Sequence, residues 1–133
     1  MIRLKRAYEP ADPTDGHRVL VERLWPRGLR KDQAHLDEWL KDVAPSDALR
    51  KWFHHDANRW TEFKRRYMRE LHEPAPSAQL DALVRRARDE VVTLVYSTHD
   101  TQHNGAVVLL EAIDRHLKRG RQRRRESRSS GPS

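Results

Sequence analysis

Two arginines flank a Trp-Pro turn in the segment Arg23-Leu24-Trp25-Pro26-Arg27-Gly28. A guanidinium group is a planar fork of N–H donors that suits a phosphate or a carboxylate. The segment therefore predicts an anion or nucleotide cradle in which Arg23 and Arg27 hold the anion and Trp25 stacks on a base. The structural alternative is that Trp25 packs in the core while Arg23 pairs with an internal carboxylate. The carboxylates considered for that pair are Glu22, Asp37 and Asp56.

A polar loop from His99 to Asn104 follows the strongest strand pattern of the chain, which ends at Tyr96. Asn104 is a good helix N-cap, and the free N–H groups at a helix start attract negative charge. We therefore predict that Tyr96 and Asn104 contribute to ligand binding. His103 is a candidate general acid or base because the pKa of an imidazole lies near neutrality. A capping and surface role is the alternative for this loop.

The pair His55-Asp56 is the third candidate. Asp56 indicates a helix N-cap, and His55 a packed histidine between tryptophans. The catalytic alternative is an acid–base pair that faces the arginines. His55, Asp56 and His103 are therefore the candidate catalytic residues if the protein is an enzyme.

Motifs for cofactors and metals are missing from the sequence. It contains no GxGxxG, P-loop, GxSxG or HExxH pattern, and it has no Cys. His99 and His103 lie four residues apart but lack the further ligands and fixed geometry of a zinc site. The sequence therefore predicts no cofactor and no metal.

The hydrophobic pattern predicts the elements that position these residues. Strands are expected at Ile2–Ala7, Arg18–Trp25 and 91–96, where apolar and β-branched residues cluster. Helices are expected over 36–43, after Ser46, after Asp56 or Asn58, from Ser77, and from about Gly105 to Lys118, with Gly120 as the stop. The order β-β-α-α-α-α-β-α favours a small, single-domain, layered α/β fold. Its short, mostly parallel sheet has about three strands with helices packed on it.

The positive charge is concentrated at the two ends of the chain. The formal net charge is +7 over 133 residues. Residues 118–133 hold seven basic side chains against Glu126, and residues 1–31 hold eight against four acidic ones. We therefore expect one domain over 1–118 and a disordered Arg/Ser-rich tail over 119–133. No stretch is long and apolar enough for a membrane span, so a soluble cytoplasmic protein without membrane contact is expected.

The ordered segments resemble the YeaO-like family of bacterial proteins, domain of unknown function 488. The similarity lies in residues 16–29 with the string RLWPRG, in Ala44-Pro45-Ser46, in 49–53, in His55-Asp56, and in 92–96 before His103-Asn104. It covers roughly residues 1–118 and leaves out the Arg-rich tail. The resemblance implies a small cytoplasmic α/β domain and carries no activity with it.

Three function hypotheses follow from these residues. The first is binding of a small anionic ligand, phosphorylated or nucleotide-like, with acid–base catalysis if the protein is an enzyme. The second is a nucleic-acid-binding or transcription-regulatory module that uses the tail and the basic first 31 residues. The third is a structural or interaction protein with no ligand. The sequence does not fix the oligomeric state.

Overall fold

The sheet of the protein is parallel throughout. In a computed structural model that describes residues 1–129, with side chains through Glu126, four strands follow the order β1-β4-β2-β3. They are β1 (Ile2–Arg6), β2 (His17–Leu20), β3 (Glu38–Trp39) and β4 (Val92–Tyr96). β4 pairs with β1 on one side and with β2 on the other, and β3 extends β2. The predicted α/β class with a short parallel sheet is confirmed, and β3 is an addition to the three predicted strands.

Five α-helices and two 3-10 turns complete the described chain. The helices are α1 (Lys31–Ala34), α2 (Asp47–Phe53), α3 (Trp60–Glu70), α4 (Pro74–Asp89) and α5 (Gly105–Ser129), and the 3-10 turns are Pro13–Asp15 and Ala57–Arg59. The predicted N-cap Ser46 is confirmed, since its side chain accepts from the Leu49 N–H. Asp56 accepts from the Asn58 N–H and so caps the 3-10 turn before α3, whereas α3 itself follows Arg59 and has no side-chain cap. α4 begins at Pro74 and not at Ser77, since proline fits the first helical turn.

One face of the sheet carries the main apolar core. Val19 of β2 and Leu94 of β4 are in register on this face, and both are fully buried. Helices α2 to α5 cover it, and Tyr67, Leu109 and Ile113 are among their buried side chains. We call this side of the sheet the helical face.

The opposite face is covered by loops and holds a buried ion pair. Arg18 lies 2.6 Å from the carboxylate of Asp15, and the side chains of both residues are almost completely buried. The Arg18 guanidinium also donates to the carbonyls of Ala34 and His35, and Lys5 lies 3.0 Å from Asp15. Each of the three guanidinium nitrogens of Arg18 thus meets an acceptor, as burial of a charged group requires.

The predicted helix over 36–43 is wrong. This segment forms the two-residue strand β3 and the loops around it. Leu36 packs against the loop-covered face, whereas Leu40 and Val43 pack against the core of the helical face. The chain crosses the edge of the sheet here, so apolar residues at helical spacing serve two opposite faces and no helix forms.

The predicted helix end at Gly120 is also wrong. α5 continues through Gly120 to Ser129, and Gly120 does not adopt the left-handed conformation of a helix-terminating glycine. The division into a domain over 1–118 and a disordered tail over 119–133 stays a prediction, and residues 130–133 lie outside the described residues. Among the described helices, none combines the length and apolar character that crossing a membrane requires.

Substitution of Gly120 by Ala tests whether α5 continues past this residue. A Cβ at this position would lie 3.3 Å from the flexible end of Arg88. Because alanine is favoured over glycine inside a helix by about 1 kcal/mol, we expect Gly120→Ala to increase helicity and stability by up to that amount. Far-ultraviolet circular dichroism and thermal unfolding measure both. Unchanged or reduced helicity would contradict a helix through residue 120.

Candidate functional site

A cleft of about 320 Å³ opens at the carboxyl ends of β2 and β4. In parallel sheets this edge is where ligands commonly bind, since the loops that leave neighbouring strands meet there. The cleft is lined by residues of four segments: 21–27 after β2, Ala44 and Pro45 before α2, residues of the α2–α3 region, and 96–106 from β4 to α5.

Seven of the eight predicted site residues line this cleft. They are Arg23, Trp25, Arg27, His55, Tyr96, His103 and Asn104. Asp56 does not line it, and its carboxylate is engaged in capping the Ala57–Arg59 turn. Segments far apart in the sequence thus converge on one concave surface.

Arg23 is partly committed to the scaffold. Its Nε donates to the Pro45 carbonyl at 2.8 Å and its Nη2 to the Ala44 carbonyl at 3.3 Å. Its side chain is half-buried, and within residues 1–126 it forms no ion pair with a carboxylate. The guanidinium keeps its full charge while two of its N–H groups fix its orientation.

Arg27 differs because its side chain is exposed and has no hydrogen bond or ion pair within the described residues. Its backbone is held instead: the Tyr8 hydroxyl donates to the Arg27 carbonyl at 2.6 Å. Gly28 follows with a φ of 75°, a left-handed conformation that glycine adopts readily. The turn therefore presents a free guanidinium at the rim of the cleft.

The two aromatic candidates are constrained by their packing. Trp25 donates from Nε1 to the Leu29 carbonyl at 2.7 Å, and its ring meets Trp39 edge-on with centroids 5.5 Å apart. Tyr96 is buried, and burial raises the pKa of its phenol. Within the described residues its hydroxyl has no hydrogen-bond partner, so Tyr96 offers the cleft an available polar group.

Glu22 is a cleft residue that the sequence considered only as an ion-pair partner. Its carboxylate accepts from the Ser97 N–H at 2.5 Å and lies 2.8 Å from the Ser97 hydroxyl oxygen. Burial raises the pKa of Glu22, against the lowering effects of the Ser97 hydrogen bonds and of the positive charge of Arg50. Glu22 lies beyond the end of β2 and follows three consecutive buried residues, so no alternation marks it as inward-facing, and nothing in the sequence points to Ser97 as its partner.

Arg50 is a second lining residue that the sequence did not single out. It is exposed, and its Nη2 lies 3.3 Å from Asp47 one turn earlier on α2. With Arg23 and Arg27 it places three guanidinium groups on the lining of the cleft, where Glu22 is the carboxylate, while Asp47 pairs with Arg50 from outside the lining. The electrostatic character of the cleft is therefore cationic.

The His103 imidazole is held by its own loop. Nδ1 lies 3.0 Å from Asp100 Oδ2, and the ring meets Trp60 edge-on at 5.2 Å. Hydrogen bonds from the backbone N–H groups of Gln102 and His103 lower the pKa of Asp100. An acceptor on Nδ1 places the neutral imidazole proton there and leaves Nε2 as the atom able to take a proton.

Asn104 is the N-cap of α5, as predicted. Its side-chain oxygen accepts from the Val107 N–H at 3.0 Å, and its side-chain nitrogen donates to the Asp100 carbonyl at 2.8 Å. The residue is buried. Asn104 therefore fixes the start of α5 at the cleft, and both ends of its amide are already engaged.

His55 and Asp56 do not form the hydrogen-bonded pair of the catalytic hypothesis. His55 is exposed, and within the described residues no hydrogen bond joins it to Asp56, which caps the following turn and lies 3.6 Å from Arg59.

His99, considered above as a metal ligand, lies 3.5 Å from Arg6 Nη2. No group of three metal-ligating side chains occurs among the described residues.

The raised pKa of Glu22 gives a pH dependence that Glu22→Gln removes. A folded pKa above the ordinary value of 4.5 means that the folded state holds this proton more tightly than the unfolded state does. Its contribution to stability is therefore present below pH 4.5 and is lost as the pH rises through the folded pKa.

We therefore expect the difference in unfolding free energy, Glu22→Gln minus the unchanged protein, to rise between pH 4.5 and neutrality. Denaturant unfolding at a series of pH values measures it, and the protein's own profile is the reference. A difference that stays constant or falls over this range would contradict burial as the dominant influence on Glu22.

Comparisons with known proteins place the chain in a family. The family described as "Inactive DUF488-N3 subclade" matches residues 1–132. An uncharacterised protein of Mycobacterium tuberculosis is 46% identical over 113 residues, which cover 85% of this chain and 93% of that protein. The uncharacterised protein YeaO of Escherichia coli is 42% identical over 112 residues, which cover 83% and 94%. No solved structure matches significantly. The resemblance carried by the RLWPRG segment is thereby confirmed, and the chain belongs to the YeaO-like DUF488 family.

Proposed function

We propose that the cleft binds a small anionic molecule, phosphorylated or nucleotide-like. The observation that carries this proposal is the convergence of Arg23, Arg27 and Arg50 on one concave surface with a single carboxylate. Arg23 is oriented by two backbone carbonyls, and Arg27 has no internal partner within the described residues. An oriented guanidinium such as that of Arg23 and an unpaired one such as that of Arg27 both favour phosphate and carboxylate ligands.

The interior of the cleft supports a ligand that also has an apolar or aromatic part. Phe53, Phe63 and Tyr96 contribute to its lining and are buried. A volume of about 320 Å³ is at the lower end of the range for small-molecule sites. A planar body against these rings and an anionic group at the arginine rim would use both halves of the cleft.

The start of α5 adds to the preference for negative charge. Gly105 and Ala106 line the cleft, and the first N–H groups of a helix carry partial positive charge. Asn104 already satisfies the Val107 N–H, so the contribution comes from the helix dipole and the N–H groups before it. This effect is worth less than a direct guanidinium contact, about 0.3–1 kcal/mol.

The proposal is one of binding rather than catalysis. The His55–Asp56 pair is not hydrogen-bonded, and the subclade that matches the chain is described as inactive. The alternative of a protein without a ligand rested on internal ion pairs of Arg23 and Arg27. Neither arginine forms one with a carboxylate in the part of the chain that the structure describes, so that alternative lacks its support.

Arg27→Ala tests the proposal most directly, because this side chain has no structural hydrogen bond to lose. Titration calorimetry with inorganic phosphate and adenosine monophosphate measures the affinity. A charge-assisted contact is worth about 1.5–3 kcal/mol, so we expect the dissociation constant of a bound probe to rise about tenfold or more.

The matched control is Arg30→Ala, which removes one positive charge at a position three residues after Arg27. The Arg30 side chain lies outside the cleft and pairs with Asp32. We expect its affinity to stay within about twofold of the unchanged protein. Equal losses in the two variants, or a full series of phosphate-bearing probes with no binding, would sink the proposal.

A further inference from the structure

The C-terminal part of α5 carries a dense cluster of positive charge. Five of the seven residues from 119 to 125 are arginines, and all five are exposed. None of them forms an ion pair within the described residues, whereas Lys118, just before them, is neutralised by Asp114 at 2.9 Å. The scaffold therefore does not balance this cluster, whereas Glu62 balances Arg65 and Arg66 of α3.

A second cavity lies next to this cluster and is separate from the cleft. It measures about 470 Å³ and lies between the start of β1, the end of α4 and α5. Arg88 of α4 and Arg121 and Arg124 of α5 line it. The carboxylate on its lining, Asp114, is already paired with Lys118.

Gly120 brings the two helices close enough for their charges to combine. A Cβ on this residue would lie 3.3 Å from Nη2 of Arg88, so the guanidinium of Arg88 lies directly against α5. A cation from α4 is thereby added to the arginines of α5 around one concavity. The positive surface is thus built by two helices and is more than a single charged run.

We propose that this surface binds the phosphate backbone of a nucleic acid without reading the base sequence. We call it the arginine surface, and its members are Arg88, Arg119, Arg121 and Arg123–Arg125. Guanidinium groups bind phosphate oxygens in a bidentate manner, and neutralising the backbone releases condensed counterions. Such contacts position a protein on nucleic acid but carry no sequence information.

The residue types favour nucleic acid over an anionic membrane as the partner. A helix that lies in a membrane interface needs an apolar face as well as basic residues. From Lys118 to Glu126 the helix has no large apolar side chain. The residues of the arginine surface offer charge and hydrogen-bond donors, and the apolar lining of the adjacent cavity is confined to Met1, Ile2, Ala87 and Leu117. The residues beyond Leu117 therefore match a polyphosphate backbone.

The test is fluorescence anisotropy of the full chain with a labelled 20-base-pair DNA duplex at several potassium chloride concentrations. The logarithm of the binding constant should fall linearly with the logarithm of salt, by about 0.9 for each phosphate contact. The double variant Arg121→Gln with Arg124→Gln removes two contacts, so we expect its slope to be shallower by about 1.8 and its affinity at 50 mM salt to fall about tenfold or more.

The matched control is the double variant Arg30→Gln with Arg69→Gln, which lowers the net charge equally at exposed positions outside the second cavity. We expect its affinity to stay within about threefold and its slope unchanged. Arg88→Gln, which leaves α5 intact, should also weaken binding and reduce the slope by about 0.9.

Three results would overturn the proposal. The first is an equal loss of duplex affinity in the two double variants, which would show attraction to net charge alone. The second is no duplex binding by the unchanged chain at 50 mM salt. The third is tighter binding to vesicles of phosphatidylcholine and phosphatidylglycerol than to the duplex. The cleft variant Arg27→Ala should leave duplex affinity unaltered, which separates this surface from the proposed small-anion site.

Discussion

The half-buried carboxylate of Glu22 joins the two strand ends on which the cleft depends. It follows β2 and accepts from the backbone and hydroxyl of Ser97, which follows β4. The carbonyl of the same residue accepts from the indole of Trp39 at 2.6 Å, which ties in β3 as well. Arg23 comes directly after this junction, and the carbonyls of Pro45 and Ala44 orient its side chain. A hydrogen-bonded carboxylate thus organises a surface that is otherwise cationic.

The two faces of the sheet are covered by different kinds of interaction. The helical face excludes water with apolar side chains from four helices. The loop-covered face has a much smaller apolar cluster, and the pair of Arg18 with Asp15 occupies much of the remaining interior. Replacing one partner of such a pair leaves an uncompensated buried charge, at a cost of about 3–5 kcal/mol. The division leaves the loops after β2 free to turn toward the carboxyl edge, where the cleft forms.

Much of the fold could be predicted from local signals, since β-branched runs and helix caps act through neighbouring residues. Ser46 and Asn104 cap their helices as their types indicate. The helix expected over 36–43 failed because its apolar residues are divided between two faces, which periodicity cannot reveal. The sequence indicated Arg23 as a residue at a Trp-Pro turn after a strand, but it did not indicate the carbonyl partners of this side chain. A guanidinium has no sequence signature for backbone carbonyls 21 and 22 residues away.

The hydrogen bonds around the cleft bear on whether it binds or reacts. The side chains of Asp56 and Asn104 cap helical turns. The Asp100 carboxylate accepts from two backbone N–H groups and from the His103 ring. These polar groups maintain the loops, and the side chains that line the cleft with an unengaged polar group include Arg27, Tyr96, His55 and Nε2 of His103. A general base needs a proton to abstract within hydrogen-bond reach, whereas an anion needs only fixed positive charge. The guanidinium groups of the lining supply fixed positive charge, which is the requirement on which the anion-binding proposal rests.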